Sequence, residues 1–434
     1  MPKDEQFVIL GAGLAGLSAA YFLKDNYQLF EKEAQPGGLC RSRHINGYIF
    51  DYDGHLFHFR NKSALDLVRR LTADNLTAIK RNSWIGSFGE FTRYPFQANL
   101  YGLPKQVVKE CIFGFIDAQL HRAFERSNHC NFKQWVVRTF GPGMAKHFML
   151  PYNNKFWTVP AQTLTSEWVD GYIPVPSIKD VLSGTIAQSK KRFGYNARFW
   201  YPRRGGVEAV TLAFQKQLKN GIHTQHEATV INLQDRTVSF QNGKRLNFDN
   251  LISTVPLIEM GKLIPHLPVA IKAAFAKLRY NSIFCLNLGI SREQISDKHW
   301  IYFPEKKFIF FRVGFPSNFS NSVTPQGKSS LYVEVSHPAK DLPNKERLTQ
   351  RILEDLHRAD ILKDADLIDV CDPLYIKYAY IIYDRHYKES TRIIQEYLNQ
   401  HHVYLLGRYG RWKYMSMEDV ILDGKNIASK IKGE

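Results

Sequence analysis

The sequence predicts an α/β chain: a discontinuous, Rossmann-like parallel-sheet domain, interrupted by one mainly helical insertion and one insertion carrying an antiparallel sheet. Three observations lead there. A glycine-rich turn joins a short apolar run to an alanine-rich stretch within residues 6–42. Strand-like segments recur far downstream, between His226 and Pro256. A strand, a glycine-rich turn and a helix then occupy Val403 to Ile431. These pieces can share one parallel sheet only if the segments between them are inserted. The expected boundaries are 1–60, 191–263 and 397–434 for the discontinuous domain. The helical insertion spans 61–190 and the sheet-bearing one 264–396.

The first piece carries the chemistry. Phe7 to Leu10 has the length and composition of a buried strand, and Leu17 to Leu23 continues as a helix. Between them Gly11 permits a tight turn, Gly13 lets a pyrophosphate approach the backbone, and Gly16 lets helix and strand come close. The phosphates then meet free N–H groups at a helix N-terminus. Glu31 ends a second strand, Tyr27 to Phe30, where a carboxylate can accept hydrogen bonds from an adenosine ribose. A second glycine pair, Gly37-Gly38 with Arg41-Ser42 behind it, has no obvious use in a nicotinamide dehydrogenase. The combination resembles the FAD-binding opening of the group that includes amine oxidases, protoporphyrinogen oxidases and UDP-galactopyranose mutases. FAD in a Rossmann-like domain is therefore expected.

The remaining elements follow from pattern. Ser63 to Leu71, Lys105 to Glu125 and Asn131 to Phe140 read as helices of the first insertion. Ala228 to Leu233, Thr237 to Phe240 and Leu251 to Val255 read as strands around the turn Gln241-Asn242-Gly243. The second insertion opens with a helix, Val269 to Leu278, entered through Pro268, where a missing N–H costs nothing. Ile283 to Ile290, Phe308 to Gly314 and Ser330 to Val335 are strand-like.

Composition narrows the class. The 434 residues are 44% hydrophobic and 13% aromatic, which describes a folded chain with a large core. No apolar run is long enough to span a bilayer, and no secretory leader is expected before the first strand. The five cysteines are scattered without a CxxC, as expected of reduced thiols in a cytoplasmic protein without a metal site. A net charge of +17 favours anionic partners, and peripheral membrane contact stays open. No basic arm is visible, so nucleic acid is not expected as a partner.

Five strings follow in order: Gly54-His55-Leu56-Phe57-His58, Tyr94-Pro95-Phe96-Gln97, Pro151 to Trp157, Phe199 to Gly206, and Gly407 to Tyr414. The set resembles UDP-galactopyranose mutase over nearly the whole chain. What the resemblance implies is an isomerase that interconverts pyranose and furanose forms of a nucleotide sugar, with reduced FAD acting as nucleophile through N5. It would serve cell-surface polysaccharide synthesis, with NAD(P)H as an external reductant. His55 and Arg408 are the implied catalytic residues. Gly11, Gly13, Gly16, Glu31, Gly38, Arg41, His55, Val230, Gly407, Arg408 and Asp423 form the implied cofactor set, with Asp423 expected to open the last helix. Tyr94, Phe96, Gln97, Asn153, Trp157, Asn196, Tyr380 and Tyr414 form the implied substrate set.

One departure stands out. The family carries an arginine clamp on the sugar diphosphate, and in this register Tyr172 occupies its place. Arg292 is the candidate for a second clamp. The loss of a bidentate cation makes a second class credible, an FAD-dependent oxidoreductase of the amine oxidase or desaturase type. A flavoprotein acting only through interaction is a third.

Overall fold

The computed structural model describes residues 6–121, 130–169, 172–189, 191, 193–194, 197–341 and 343–432. Its centre is a five-stranded parallel sheet. Phe7–Leu10 lies in the middle, between Tyr27–Phe30 and Asn250–Ser253, with Ile222–His223 and Val403–Leu405 at the edges. Phe7 pairs in register with both Tyr27 and Asn250, so widely separated pieces of chain do share one sheet. Phe7, Val8 and Ile9 are fully buried, which is why this strand reads as continuously apolar. Each such side chain contributes about 1.5–3 kcal/mol.

Helix Leu14–Leu23 follows the first strand and packs against helix Met417–Lys432. Gly16 makes the close approach of helix and turn possible, since a Cβ there would lie 1.9 Å from the Gly11 carbonyl oxygen. Gly11 itself has φ +94°. Beside the parallel sheet, Ala228–Asn232, Thr237–Phe240 and Arg245–Asn247 form a small antiparallel meander.

The second sheet has seven strands, the longest being Tyr280–Ile290, Ser329–Pro338 and the edge strand Ile368–Ile381. It is antiparallel except where Trp300–Tyr302 runs parallel to Ser83–Ser87. Two expectations change here. The stretch 61–190 carries helices Lys62–Leu71, Lys105–His121 and Phe132–Met144, but also strands Leu76–Lys80, Ser83–Ser87 and Glu90–Arg93. The last two extend the seven-stranded sheet. Phe308 to Gly314 is a strand only at Arg312–Gly314; the residues before it belong to a loop.

No helix among the described residues is long and apolar enough to cross a membrane. The five cysteines are free thiols, and no cluster of metal-ligating side chains occurs among the described residues.

Candidate active site

One cavity of about 1520 Å³ runs from the glycine-rich turn of the parallel sheet to the inner face of the seven-stranded sheet. Its first half is built from backbone. Gly13 precedes helix Leu14–Leu23, whose first turn no side chain caps, leaving N–H groups for an anion. Gly13 and Gly37 form a bridge, and the Gly37 N–H donates to the Ala12 carbonyl at 2.8 Å. Gly38 has φ +57°, and a Cβ on it would sit 3.1 Å from the Gly13 Cα. Two glycine segments are thus pressed together along the cavity wall. Glu31 is buried beside them, accepting from the Ala12 N–H at 2.8 Å and the Glu33 N–H at 3.0 Å. A carboxylate retains further acceptor capacity after two such bonds. Arg41 lies over the Tyr52 ring at 5.1 Å, with its Nε donating to the Gly38 carbonyl.

The second half is made of rings and charges. Arg408 donates to the Ala379 carbonyl at 3.1 Å and faces the rings of Tyr380, Tyr409 and Tyr414 at 4.5–5.6 Å. Its buried Nε has no hydrogen-bond partner, nor has the buried Nδ1 of His55. Burial lowers the His55 imidazole, Asp53 opposes that shift, and Arg408 reinforces it. The neutral ring therefore dominates near neutrality, with one nitrogen free to donate or accept. Both orphaned atoms belong to residues lining the cavity, which fits a planar polar ring bound between them.

Asn153 and Trp157 share a face of helix Leu150–Trp157, the indole N–H donating to the Asn153 side-chain Oδ1 at 3.2 Å. Tyr94, Gln97 and Tyr172 also line the cavity, and the Gln97 amide donates to the Pro174 carbonyl at 2.7 Å. Tyr172 meets the Tyr414 ring edge-on at 5.2 Å.

Four expected residues sit elsewhere. Phe96 is fully buried against Phe148, 5.0 Å between ring centroids, as part of the core. Val230 is 42% exposed on the meander, while His226, Glu227 and Ala228 reach the cavity instead. Asp423 lies inside helix Met417–Lys432, not at its start, and binds the Gly407 N–H at 2.9 Å and Arg411 at 2.8 Å. Its role is to hold the turn that presents Arg408. Arg292 is outside the cavity, paired with Asp366 at 2.7 Å. Asn196 lies outside the described residues.

The ring-lined half of the cavity holds a second arginine in addition to Arg408. Arg312 lines it, paired with Glu334 and 3.4 Å from the Asp53 carboxylate. Burial would raise Asp53, but its bond to Glu334 and the Arg312 charge outweigh burial and hold it below the usual carboxylate range. Glu334, fully buried, is raised well above that range by burial. The pair therefore shares one proton, and Arg312 is neutralised within the cluster. A lone arginine in the apolar run Phe308-Ile-Phe-Phe-Arg312-Val was the sequence signal for it.

Comparison with known proteins bears on the fold and the family. A solved structure of reduced UDP-galactopyranose mutase is 27% identical, covers 99% of this chain and 94% of that one, and superposes with a TM-score of 0.93. Putrescine oxidase bound to putrescine and a CLA-producing fatty acid isomerase from P. acnes share the fold at 15% and 14% identity. Each covers 99% of both chains with a TM-score of 0.68. The family model for flavin-containing amine oxidoreductases matches residues 14–432. With its glycine cradle, its buried carboxylate at Glu31 and a family match over residues 14–432, the chain belongs to the flavin-containing amine oxidoreductase family.

Proposed function

We propose that this protein is a flavin-dependent sugar mutase, interconverting the pyranose and furanose rings of a nucleotide-activated sugar without net redox change. The observation that carries the reading is the single cavity joining the glycine cradle to a guanidinium ringed by tyrosines. Near-full-length likeness to reduced UDP-galactopyranose mutase supports it. Reduced FAD, when bound, supplies a nucleophile at N5.

This chain's residues do the rest. Arg408 presents a fixed cation to an anionic leaving group, its position set by Ala379 and the surrounding rings. Tyr172, Tyr380 and Tyr414 offer hydroxyl donors to phosphate oxygens. His55, neutral, presents one ring nitrogen to whatever polar edge lies beside it. Aromatic walls from Tyr152, Phe156, Trp157 and Tyr302 exclude water from a sugar ring.

Because Arg312 is already neutralised, the attraction for a diphosphate falls to Arg408 and to cavity-lining lysines such as Lys413. Tyr172 adds no charge. That weakness favours a second reading, an FAD-dependent oxidoreductase acting on a less anionic substrate. The two differ in stoichiometry. Dithionite-reduced protein should isomerise UDP-galactose or another nucleotide sugar while consuming no reductant, and oxidised protein should be inactive. One NAD(P)H consumed per product, or a two-electron-oxidised product, would move the protein to the oxidoreductase class.

A further inference from the structure

Lys155 sits on helix Leu150–Trp157 but does not line the cavity. Its ammonium donates to four backbone carbonyls: Phe303 at 2.9 Å, Glu305 at 2.6 Å, Phe308 at 2.9 Å and Phe310 at 3.1 Å. All four belong to the loop joining strands Trp300–Tyr302 and Arg312–Gly314. The rings of Phe303, Phe308 and Phe310 are buried in the core beneath the second sheet. With the rings turned inward, the loop's carbonyls converge on one point, and their acceptors need a partner. Burial lowers the Lys155 ammonium to about 7, but in its protonated form it brings three protons and a charge to that point, which a neutral side chain cannot replace.

The two elements joined in this way are adjoining walls of one cavity. The helix contributes Tyr152, Asn153, Phe156 and Trp157, while the hairpin contributes Tyr302 and Arg312. Where they meet, Tyr152 packs edge-on against Tyr302 at 5.5 Å, and Phe156 against Phe311 at 5.2 Å. Ring contacts of this kind allow sliding; a charge shared among four carbonyls does not. From its other side the loop is held by helix Lys345–Arg358, where Asp355 accepts the Ile309 N–H at 2.7 Å. Lys155 is therefore the polar tie between hairpin loop and substrate-facing helix.

We propose that Lys155 is a positioning residue, whose ammonium fixes the two cavity walls against each other and so sets ligand affinity without touching the ligand. The proposal rests on reading this cavity as the ligand site. It implies that an exogenous cation can take the place of the side chain. In Lys155→Ala the carbonyls still converge, now around space left by the stem, and propylammonium resembles the missing part.

The test uses the flavin-loaded protein and two measurements. The first is hydrogen exchange at the loop amides, including Ile309 and Phe311, which needs no ligand. Lys155→Ala should speed that exchange about tenfold or more, and propylammonium should slow it again. The second is UDP binding by the reduced protein, expected to weaken about tenfold in Lys155→Ala and to recover with propylammonium. Lys155→Met, which keeps the stem and loses the charge, should show both losses and no rescue. Should Lys155→Ala fail to fold, faster exchange and weaker UDP binding in Lys155→Met decide the matter. Unchanged exchange in a folded variant overturns the tie. Faster exchange with unchanged UDP affinity overturns its bearing on the ligand. If wild type does not bind UDP, the nucleotide reading fails and the exchange measurement alone judges the tie.

Discussion

At Gly13 the absence of a side chain serves a ligand rather than the chain. Its backbone is extended, with φ −72°, and an added Cβ would meet Gly38 Cα at 3.7 Å, an ordinary contact. Gly13→Val should therefore fold and yet emerge colourless, its branched side chain filling the approach a pyrophosphate needs. A yellow, flavin-loaded Gly13→Val would refute the cradle. Tyr172 is the other residue on which the reading turns. A tyrosine donates one hydrogen bond and no charge, so UDP-galactose should bind the reduced wild type poorly. Tyr172→Arg should tighten it at least tenfold, about 1.4 kcal/mol, as measured by calorimetry. If wild type already binds at low micromolar affinity and the arginine adds nothing, the register or the role is wrong. Residues fixed by local geometry, such as Gly11, Gly13 and Glu31, were legible in the sequence because turn and strand impose their spacing. Arg292 and Arg312 were not, since the loop between two strands decides which arginine reaches the cavity.

Helix Phe132–Met144 shows how far an element can be read. Asn131 caps it, accepting from the Gln134 N–H at 3.0 Å while the Gln134 side chain accepts from the Asn131 N–H at 3.1 Å. Asn131→Ala should cost about 1 kcal/mol in urea unfolding, with the flavin spectrum unchanged. No change in the unfolding midpoint would show that the cap is redundant. The regular helix breaks at Gly141, φ +77°, just beyond Phe140, where the sequence reading ends it. A Cβ at Gly141 would lie 2.0 Å from the Gly114 carbonyl oxygen, so glycine also permits close packing against helix Lys105–His121. The strands at 76–93 were missed for a different reason. They are short, and two of them are completed by distant partners, Leu76–Lys80 by Arg198–Pro202 and Ser83–Ser87 by Trp300–Tyr302, which no local pattern reveals.

For the molecule as a whole, stability should depend on acid through buried histidines. His299 is 8% exposed and its Nδ1 accepts the Asn82 N–H at 2.8 Å, so the ring must be neutral. Burial lowers it to about 4 from 6.5. Between those values the unfolded chain binds a proton that the folded chain refuses. Stability is therefore complete above pH 6.5 and is lost as pH falls through 4, by at most about 1.4 kcal/mol per pH unit for this group. Asp51 has the opposite sign: burial pushes its carboxyl up to about 6, so its ionisation costs stability as pH rises from 3.8. Comparing wild type with His299→Gln cancels the Asp51 effect, and the variant should show the shallower fall on acidification. Equal slopes would mean that His299 titrates normally.

The parallel sheet also has a history during synthesis. Phe7–Leu10 is made first, yet its neighbour Asn250–Ser253 must follow before both its edges are covered. At about 5–20 residues per second, that wait lasts on the order of 10–50 s. Throughout it, a four-residue apolar strand is open to pairing with other nascent chains. The last strand, Val403–Leu405, joins later still. Yield in cells should therefore depend on chaperone supply during that wait more than on the stability of the finished fold. Fragments ending before residue 250 should aggregate, because they carry the central strand without the partner that covers it.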